Sequence, residues 1–236
     1  MSPRNWLILI TLVLMTGSAP AATHTDPARL DPGRQHLRIH LVYNYGVYTR
    51  PFFFKPKSRP SFGIWVKDRG NGNTAPVFVT RKAGLDKWVF TDKRPEAIPV
   101  WYGVRDGQGS DQNPKVDIDA ISAATPKGET ATIYWEIPPQ FQGHSLEIYI
   151  EANNSFDFNP HYTKHKGAPQ YSAANGQPSL VWRAVVDPQN APQMPVTPQL
   201  VGHGELFGKN SRIYSDLGKI TTAAHTFRDI QIEVRQ

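Results

Sequence analysis

The sequence predicts an all-β fold, an antiparallel sandwich with long loops. Many short segments alternate apolar and polar residues, and Gly, Pro and Asn turns separate them. No window keeps a 3.6-residue apolar period over three helical turns. Short strands spaced by turns in this way are typical of sandwiches of the immunoglobulin-like or fibronectin type III-like kind.

The chain begins with the pattern of a secretory signal peptide. Arg4 supplies a positive charge, the run Trp6–Met15 is apolar, and Ala19 and Ala21 fit the two small positions of a cleavage site. The apolar run has about ten residues, whereas a membrane-spanning helix needs about twenty. We therefore expect residues 1–21 to be removed as a signal peptide and the mature protein to act in the periplasm, without being integral to the membrane.

Residues 22–35 are expected to form an N-terminal linker, and residues 36–236 a single sandwich domain, because this length suits one domain with a substantial core. The chain has no cysteine, so it has neither a stabilising disulfide nor a thiolate site. The net charge is +6, but the basic residues are scattered and form no stripe. Nucleic acid is therefore not an expected partner.

The predicted strands follow one another along this domain. Leu37, Ile39 and Leu41 share one face of the first strand, and the Gly-Asn-Gly-Asn run at 70–73 predicts a hairpin loop after the second. Asp187–Gln199 carries four prolines and is expected to be a surface loop. The predicted strands are His36–Tyr43, Phe62–Lys67, Pro76–Arg81, Lys87–Thr91, Thr130–Ile137, Ser145–Glu151, Leu180–Val186 and Ile230–Val234.

The segment Asp119-Ala-Ile-Ser-Ala-Ala-Thr125 resembles the flavinylation signature of extracytoplasmic FMN-binding proteins. In that signature a final Thr or Ser hydroxyl receives FMN through a phosphoester bond. Asp119, Ser122, Ala124 and Thr125 match it, and Ala123 stands where the signature has glycine. The resemblance implies that Thr125 is a covalent FMN acceptor. The alternative is a structural turn before the strand at Thr130.

Residues 60–185 are similar to predicted periplasmic proteins grouped as domain of unknown function 2271. The segments that carry the resemblance are Phe62–Asp68, Arg94-Pro95 with Trp101, Asp119–Pro126, Tyr149–Asn159 and Asn175–Leu180. The resemblance implies a periplasmic sandwich with an accessory role beside membrane flavin or haem redox components or iron uptake.

Two Asn-rich segments at strand boundaries, Glu151–Asn159 and Asn175–Ser179, are expected to lie together at one end of the sandwich. Asn and Asp side chains there can bind either backbone groups or a ligand. The predicted ligand or partner surface consists of Asn153, Asn154, Asp157, Asn159 and Asn175. A second candidate surface is the aromatic and basic run 43–54.

The sequence offers few other candidate residues for metal binding or catalysis. His161 and His165 are four residues apart beside Asp157, which on a helix would place both imidazoles on one face, but no Glu follows His161 and no metal site is predicted. The sequence also lacks a Gly-x-Ser-x-Gly elbow and a cysteine nucleophile. No catalytic residues are predicted, and the protein is not expected to be an enzyme.

The expected function is that of a periplasmic binding or accessory protein whose partner is a periplasmic or membrane redox or uptake protein. One alternative is a covalent FMN electron carrier modified at Thr125. Another is a carbohydrate-binding module that stacks sugars on Trp65, Trp88, Trp101, Trp135 and Trp182, although tryptophan in a sandwich is usually core.

Overall fold

A computed structural model describes residues 23–24, 27–44, 59–88, 91, 93–107, 122–123 and 128–236. The strands are β1 (Thr23–His24), β2 (His36–Tyr43), β3 (Ser61–Asp68), β4 (Thr74–Thr80), β5 (Ser122–Ala123), β6 (Thr130–Glu136), β7 (Leu146–Asn153), β8 (Leu180–Val186), β9 (Gln199–His203) and β10 (Phe227–Arg235). The α-helices are α1 (Arg81–Gly84) and α2 (Pro99–Asp106), and short 3-10 turns occur at Pro27–Arg29, Pro139–Phe141 and Thr222–His225.

These strands form two sheets that pack face to face. The first has the order β1-β6-β2-β10, and the second has the order β5-β4-β3-β7-β8-β9. Neighbouring strands are antiparallel except at the two-residue β5, which runs parallel to the end of β4. The predicted all-β antiparallel sandwich is confirmed.

The main core lies between the sheets and follows directly from strand alternation. Leu37, Ile39 and Leu41 on β2 are fully buried, and the polar residues between them are partly exposed. On β7, Ile148 and Ile150 occupy the same layer from the opposite sheet. Burial of each such side chain contributes about 1.5–3 kcal/mol relative to exposure.

A second apolar layer covers the outer face of the larger sheet. Here α2 places the fully buried Trp101 against β3, where Gly63 leaves room for the indole. Trp65 stacks on Tyr149 of the neighbouring strand with ring centroids 5.1 Å apart. The two helices are short, and no helix in the described ranges is long and apolar enough to cross a membrane.

The structure departs from the predicted elements at three places. The predicted strand Lys87–Thr91 begins in the turn after α1, where the amide of Lys87 donates to the carbonyl of Lys82, so Lys87 and Trp88 are not in a strand, and residues 89–90 lie outside the described residues. Within the expected linker, β1 pairs with β6. The proline-rich segment ends one residue early, because Gln199 begins β9, which the sequence did not predict.

Candidate functional site

The flavinylation-like segment enters the described structure only at β5. Its residues Ser122 and Ala123 pair with Val79 and Thr80 at the end of β4. These two residues lie at the edge of the larger sheet, whereas Asp119, Ala124 and Thr125 lie outside the described residues. The same holds for most of the aromatic run 43–54.

The two Asn-rich segments do lie together, as expected. The side-chain amide of Asn153 donates to the carbonyl of Gln177 over 3.0 Å, and the amide of Gln177 donates to the carbonyl of Asp157 over 2.9 Å. Asp157 also forms a β-bridge with Gly176. The segments therefore close one end of the sandwich as one hydrogen-bonded unit.

Most of these polar side chains point inward. Asn153, Asn154, Asp157 and Asn175 are buried, whereas Asn159 is partly exposed. Burial raises the pKa of the Asp157 carboxyl, while hydrogen bonds from Thr222 and Gln177 oppose the shift. Asn159 accepts hydrogen bonds from the amides of residues 161 and 162, at 2.9 and 2.7 Å. In this structure the cluster braces loops and offers no open surface at its four buried members.

The two histidines of this region do not share a helix face, because residues 159–171 form turns and bends. His165 is exposed, and its amide donates to the Thr163 hydroxyl over 3.2 Å. Among the described residues, no three His, Cys, Asp or Glu side chains are grouped closely enough to hold a metal ion.

The tryptophans considered for sugar stacking are mostly internal. Trp65, Trp101, Trp135 and Trp182 are buried. Trp88 is partly exposed, but the guanidinium of Arg94 lies over its ring, 4.6 Å from the centroid. Four of the five rings are therefore inside the protein, and Arg94 covers one face of the fifth.

Arg94 is buried and joins three segments. Its guanidinium donates to the Ser155 hydroxyl over 2.9 Å and to the Asn175 side-chain oxygen over 3.2 Å, and it pairs with Glu96 at 3.5 Å. Burial lowers the pKa of Arg94, and Glu96 opposes that shift. The side chain therefore fixes the segment 93–96 against the closed end of the sandwich.

Glu151 is the most unusual carboxylate in the described structure. Strand alternation places it on the outer face of β7, but the N-terminus of α2 covers it completely. It accepts hydrogen bonds from the amides of Val100 and Trp101, at 3.2 and 2.7 Å, and from the Ser179 hydroxyl at 2.6 Å. Burial raises the pKa of Glu151 to about 7, although these three donors oppose the shift. Glu151 therefore fixes the start of α2.

An open cleft of about 270 Å³ lies on the far side of α2. One wall is α2 itself, a second is the segment 93–95, and a third is the loop 208–211. Gly103 allows close approach of this loop, because a Cβ at position 103 would overlap the Ser211 side chain. The lining polar side chains include Lys93, Tyr102, Arg105, Asn210 and Ser211.

Arg105 is held in a defined orientation within this wall. Its guanidinium lies over the Tyr102 ring at 4.6 Å, and it pairs with Asp86 at 3.2 Å and with Asp106 at 2.9 Å. Burial would lower the pKa of Arg105, but Asp106 and Asp86 raise it overall, so the group stays charged. Burial raises the pKa of the Tyr102 hydroxyl, which remains neutral and donates to the Ala83 carbonyl over 3.2 Å.

Comparisons with protein-family models, curated proteins and solved structures found no match to this chain. The cleft therefore has to be interpreted from its own chemistry. Sequence reasoning missed it, because Lys93, Arg105 and Asn210 come from three separate segments. The one local signal was Pro99, which suits the first turn of a helix and marks the start of α2.

Proposed function

We propose that the protein is an exported, non-enzymatic binding protein and that the cleft beside α2 is its ligand site. The observation that carries the proposal is the fixed orientation of the Arg105 guanidinium in the wall of an open cleft. Binding sites gain affinity when their polar groups are held in place before the ligand arrives. Tyr102, Asp86 and Asp106 do this for Arg105.

The charge of the lining favours a small polar ligand that carries a carboxylate or a similar acceptor. Arg105 and Lys93 are cationic, while Asp86 and Asp106 already pair with Arg105. A planar guanidinium binds carboxylates through two parallel hydrogen bonds. The two acidic groups repel a strongly anionic ligand. A zwitterion such as an amino acid therefore suits the mixed charge of the cleft better.

The biological role that we propose is an accessory subunit of an extracytoplasmic redox or metal-uptake system. The signal-peptide pattern in residues 1–21 supports export. The resemblance to predicted periplasmic proteins over residues 60–185 supports the accessory role. The sequence has neither a cysteine nucleophile nor the Gly-x-Ser-x-Gly pattern of a serine hydrolase, and this supports a binding function over a hydrolytic one.

The Gly103–Ser211 contact allows a test of the cleft. We expect Gly103→Ala to weaken binding of zwitterionic glutamate at least tenfold, because the new methyl group displaces the loop 208–211. The double variant Gly103→Ala/Ser211→Gly should recover binding to within threefold, because it removes the overlapping atoms. Binding is measured by isothermal titration and by chemical shifts of the cleft amides, with glycine and succinate as further probes.

Arg105→Lys is the second arm of this test. Lysine keeps the charge but loses the planar fork, so affinity for the carboxylate should again fall about tenfold. Arg212→Lys, on an exposed arginine beside the same loop, is the matched control and should leave affinity unchanged. If none of the three probes shifts the cleft amides, or if Arg105→Lys binds like the parent, the cleft is not the ligand site.

The second candidate function is a covalent FMN carrier. The observation that favours it is the position of β5, whose residues Ser122 and Ala123 lie at the edge of the larger sheet shortly before Thr125 in the sequence. A modifying enzyme reaches a segment at a sheet edge more easily than one within a sheet. In this proposal the Thr125 hydroxyl oxygen bonds to the flavin-side phosphorus of a flavin dinucleotide, the phosphoanhydride P–O bond breaks, and the nucleoside monophosphate and the hydroxyl proton are released.

Coexpression with an active flavin transferase tests this candidate. We expect a mass increase of one FMN and a visible flavin chromophore, both lost in Thr125→Val, which keeps the shape and removes the hydroxyl. Ala123→Gly should raise the yield, since it restores the glycine of the signature. The same intact-mass spectrum reports whether residues 1–21 have been removed. An unmodified Ala123→Gly protein, with a second substrate modified in parallel, would exclude FMN attachment.

A further inference from the structure

Glu151 lies where two walls of the cleft meet. Its carboxylate accepts hydrogen bonds from the two backbone amides that follow Pro99 in α2, over 3.2 and 2.7 Å. On its other side lies the loop 204–211, which carries part of the cleft lining. A Cβ at position 204 would lie 2.9 Å from a carboxylate oxygen of Glu151 and 2.6 Å from the Pro99 ring. The carboxylate therefore lies against both the helix and the loop that enclose the cleft.

Ser179 joins the same two walls. Its hydroxyl donates to the Glu151 carboxylate over 2.6 Å, and its carbonyl accepts a hydrogen bond from the amide of Gly204 over 2.9 Å. Because Ser179 and Glu151 are both fully buried, these hydrogen bonds are not shared with bulk water. The start of α2 and the start of the loop 204–211 thus depend on one carboxylate and one hydroxyl.

The charge of Glu151 changes what this junction can bind. An ionised carboxylate only accepts hydrogen bonds, which suits the three donors that meet it, whereas a protonated carboxyl also donates one. Backbone amides cannot accept, so the Ser179 hydroxyl has to turn and take the new proton. The two amides of α2 are also attracted less, since a charged acceptor binds about twice as strongly as a neutral one and a helix N-terminus favours negative charge. We therefore expect protonation to loosen both walls.

The change of charge falls near neutral pH. Burial raises the pKa of Glu151 to about 7. Among the described residues that line the cleft there is no histidine, the side chain that ordinarily titrates in this range. We propose that Glu151 is a proton-sensitive positioning residue, whose ionised form holds α2 and the loop 204–211 in the ligand-binding arrangement and whose protonated form releases them. This inference rests on the proposed ligand site.

In the described structure, the elements packed against Glu151 present Tyr102 and His203 as further titratable side chains. Tyr102 lies on α2, and burial raises the pKa of its hydroxyl, so it stays neutral. The residues paired with Glu151 on the adjoining strands, Gly63 of β3 and Val181 of β8, do not titrate. On the loop side, the Nδ1 of His203 lies 2.7 Å from the carbonyl of the next residue. The titration of His203 therefore has to be separated from that of Glu151.

Nuclear magnetic resonance on the ligand-free protein tests the positioning step. The carboxyl carbon signal of Glu151 should move between pH 6 and pH 8 with a midpoint of about 7, and the amide signals of Trp101 and Gly204 should follow it. In Ser179→Ala the common midpoint should rise by about one pH unit, because the carboxylate loses a hydrogen bond that favours its charged form. Amide signals that do not follow the Glu151 carboxyl would overturn the proposal.

Ligand affinity gives the second measurement. We expect zwitterionic glutamate to bind about tenfold more weakly at pH 6 than at pH 8, because the ionised fraction of Glu151 falls about tenfold over this range. Binding at pH 7 should also release part of a proton, because ligand and proton shift the same equilibrium in opposite directions. Isothermal titration in buffers of different ionisation enthalpy detects this release. Glu151→Gln should bind equally at both pH values and release no proton, and Ser179→Ala should shift the midpoint of the affinity profile upward.

His203→Asn is the matched control and should keep the pH dependence of the parent. A pH dependence that His203→Asn removes and Glu151→Gln keeps would assign the effect to the histidine and overturn the proposal. Glutamate binding with equal affinity at pH 6 and pH 8 would overturn it as well, while leaving the ligand site in place. If glutamate, glycine and succinate all fail to bind at either pH, the ligand site itself fails, and the pH-dependent affinity fails with it.

Discussion

Glu151→Ala is expected to lower the free energy of unfolding by about 3–5 kcal/mol, because it leaves buried donors without an acceptor and opens a cavity. The affected donors are the amides of Val100 and Trp101 and the Ser179 hydroxyl. Since the first two begin α2, the helix should also loosen and disturb the cleft. Urea unfolding at constant pH measures the loss, and Glu147→Ala, on the same strand but partly exposed, is the control.

The same carboxyl group makes stability depend on pH. Its pKa is about 7 in the folded protein and 4.5 when unperturbed, so the folded state binds more protons between these values. Stability should therefore fall as the pH rises from about 4.5 to about 7 and level off above. The loss reaches at most about 3.5 kcal/mol, since the pKa changes by about 2.5 units and one unit corresponds to about 1.4 kcal/mol.

Glu151→Gln isolates this contribution. Glutamine has nearly the same shape but does not titrate. Its NH₂ group cannot accept a hydrogen bond, so one of the donors that contact Glu151 loses its acceptor. The stability of the parent relative to Glu151→Gln should therefore decrease between pH 5 and pH 8. A difference that stays constant over this range would show that Glu151 does not change protonation there.

Gly63→Ala is expected to have the second large effect, a loss of about 1–3 kcal/mol or more, typical of overpacked cores. An alanine Cβ at this position would overlap the indole of Trp101, which is fully buried and can move only with α2. Because α2 forms a wall of the cleft, ligand binding should fall together with the melting temperature.

Two further variants check this interpretation. Gly33→Ala places its methyl group 3.5 Å from the nearest side chain, in ordinary contact, and should leave stability nearly unchanged. Gly63→Ala/Trp101→Leu removes the overlapping ring, so its loss should be smaller than the sum of the two single losses. Additive losses would mean that Gly63 and Trp101 do not interact.

The strands that the sequence predicted best are those with one buried face. For β2 and β8 the predicted and observed bounds agree, because alternating or β-branched apolar residues mark the core side without outside information. β9 escaped prediction, since it is partly exposed, contains Gly202 and follows the proline-rich segment. The prediction of a strand from Lys87 failed at its start, because the turn after α1 redirects the backbone at Lys87 and Trp88.

Local alternation and turn chemistry in the sequence were enough to predict the sandwich class, the core faces of the long strands and the contact between the Asn-rich segments. The tertiary structure was needed to show that Glu151, on the polar face of its strand, is buried under α2. It also showed that Arg105 and Asn210 share a cleft. These properties arise where distant segments pack, and the burial and charge of a side chain there depend on neighbours that no local pattern specifies.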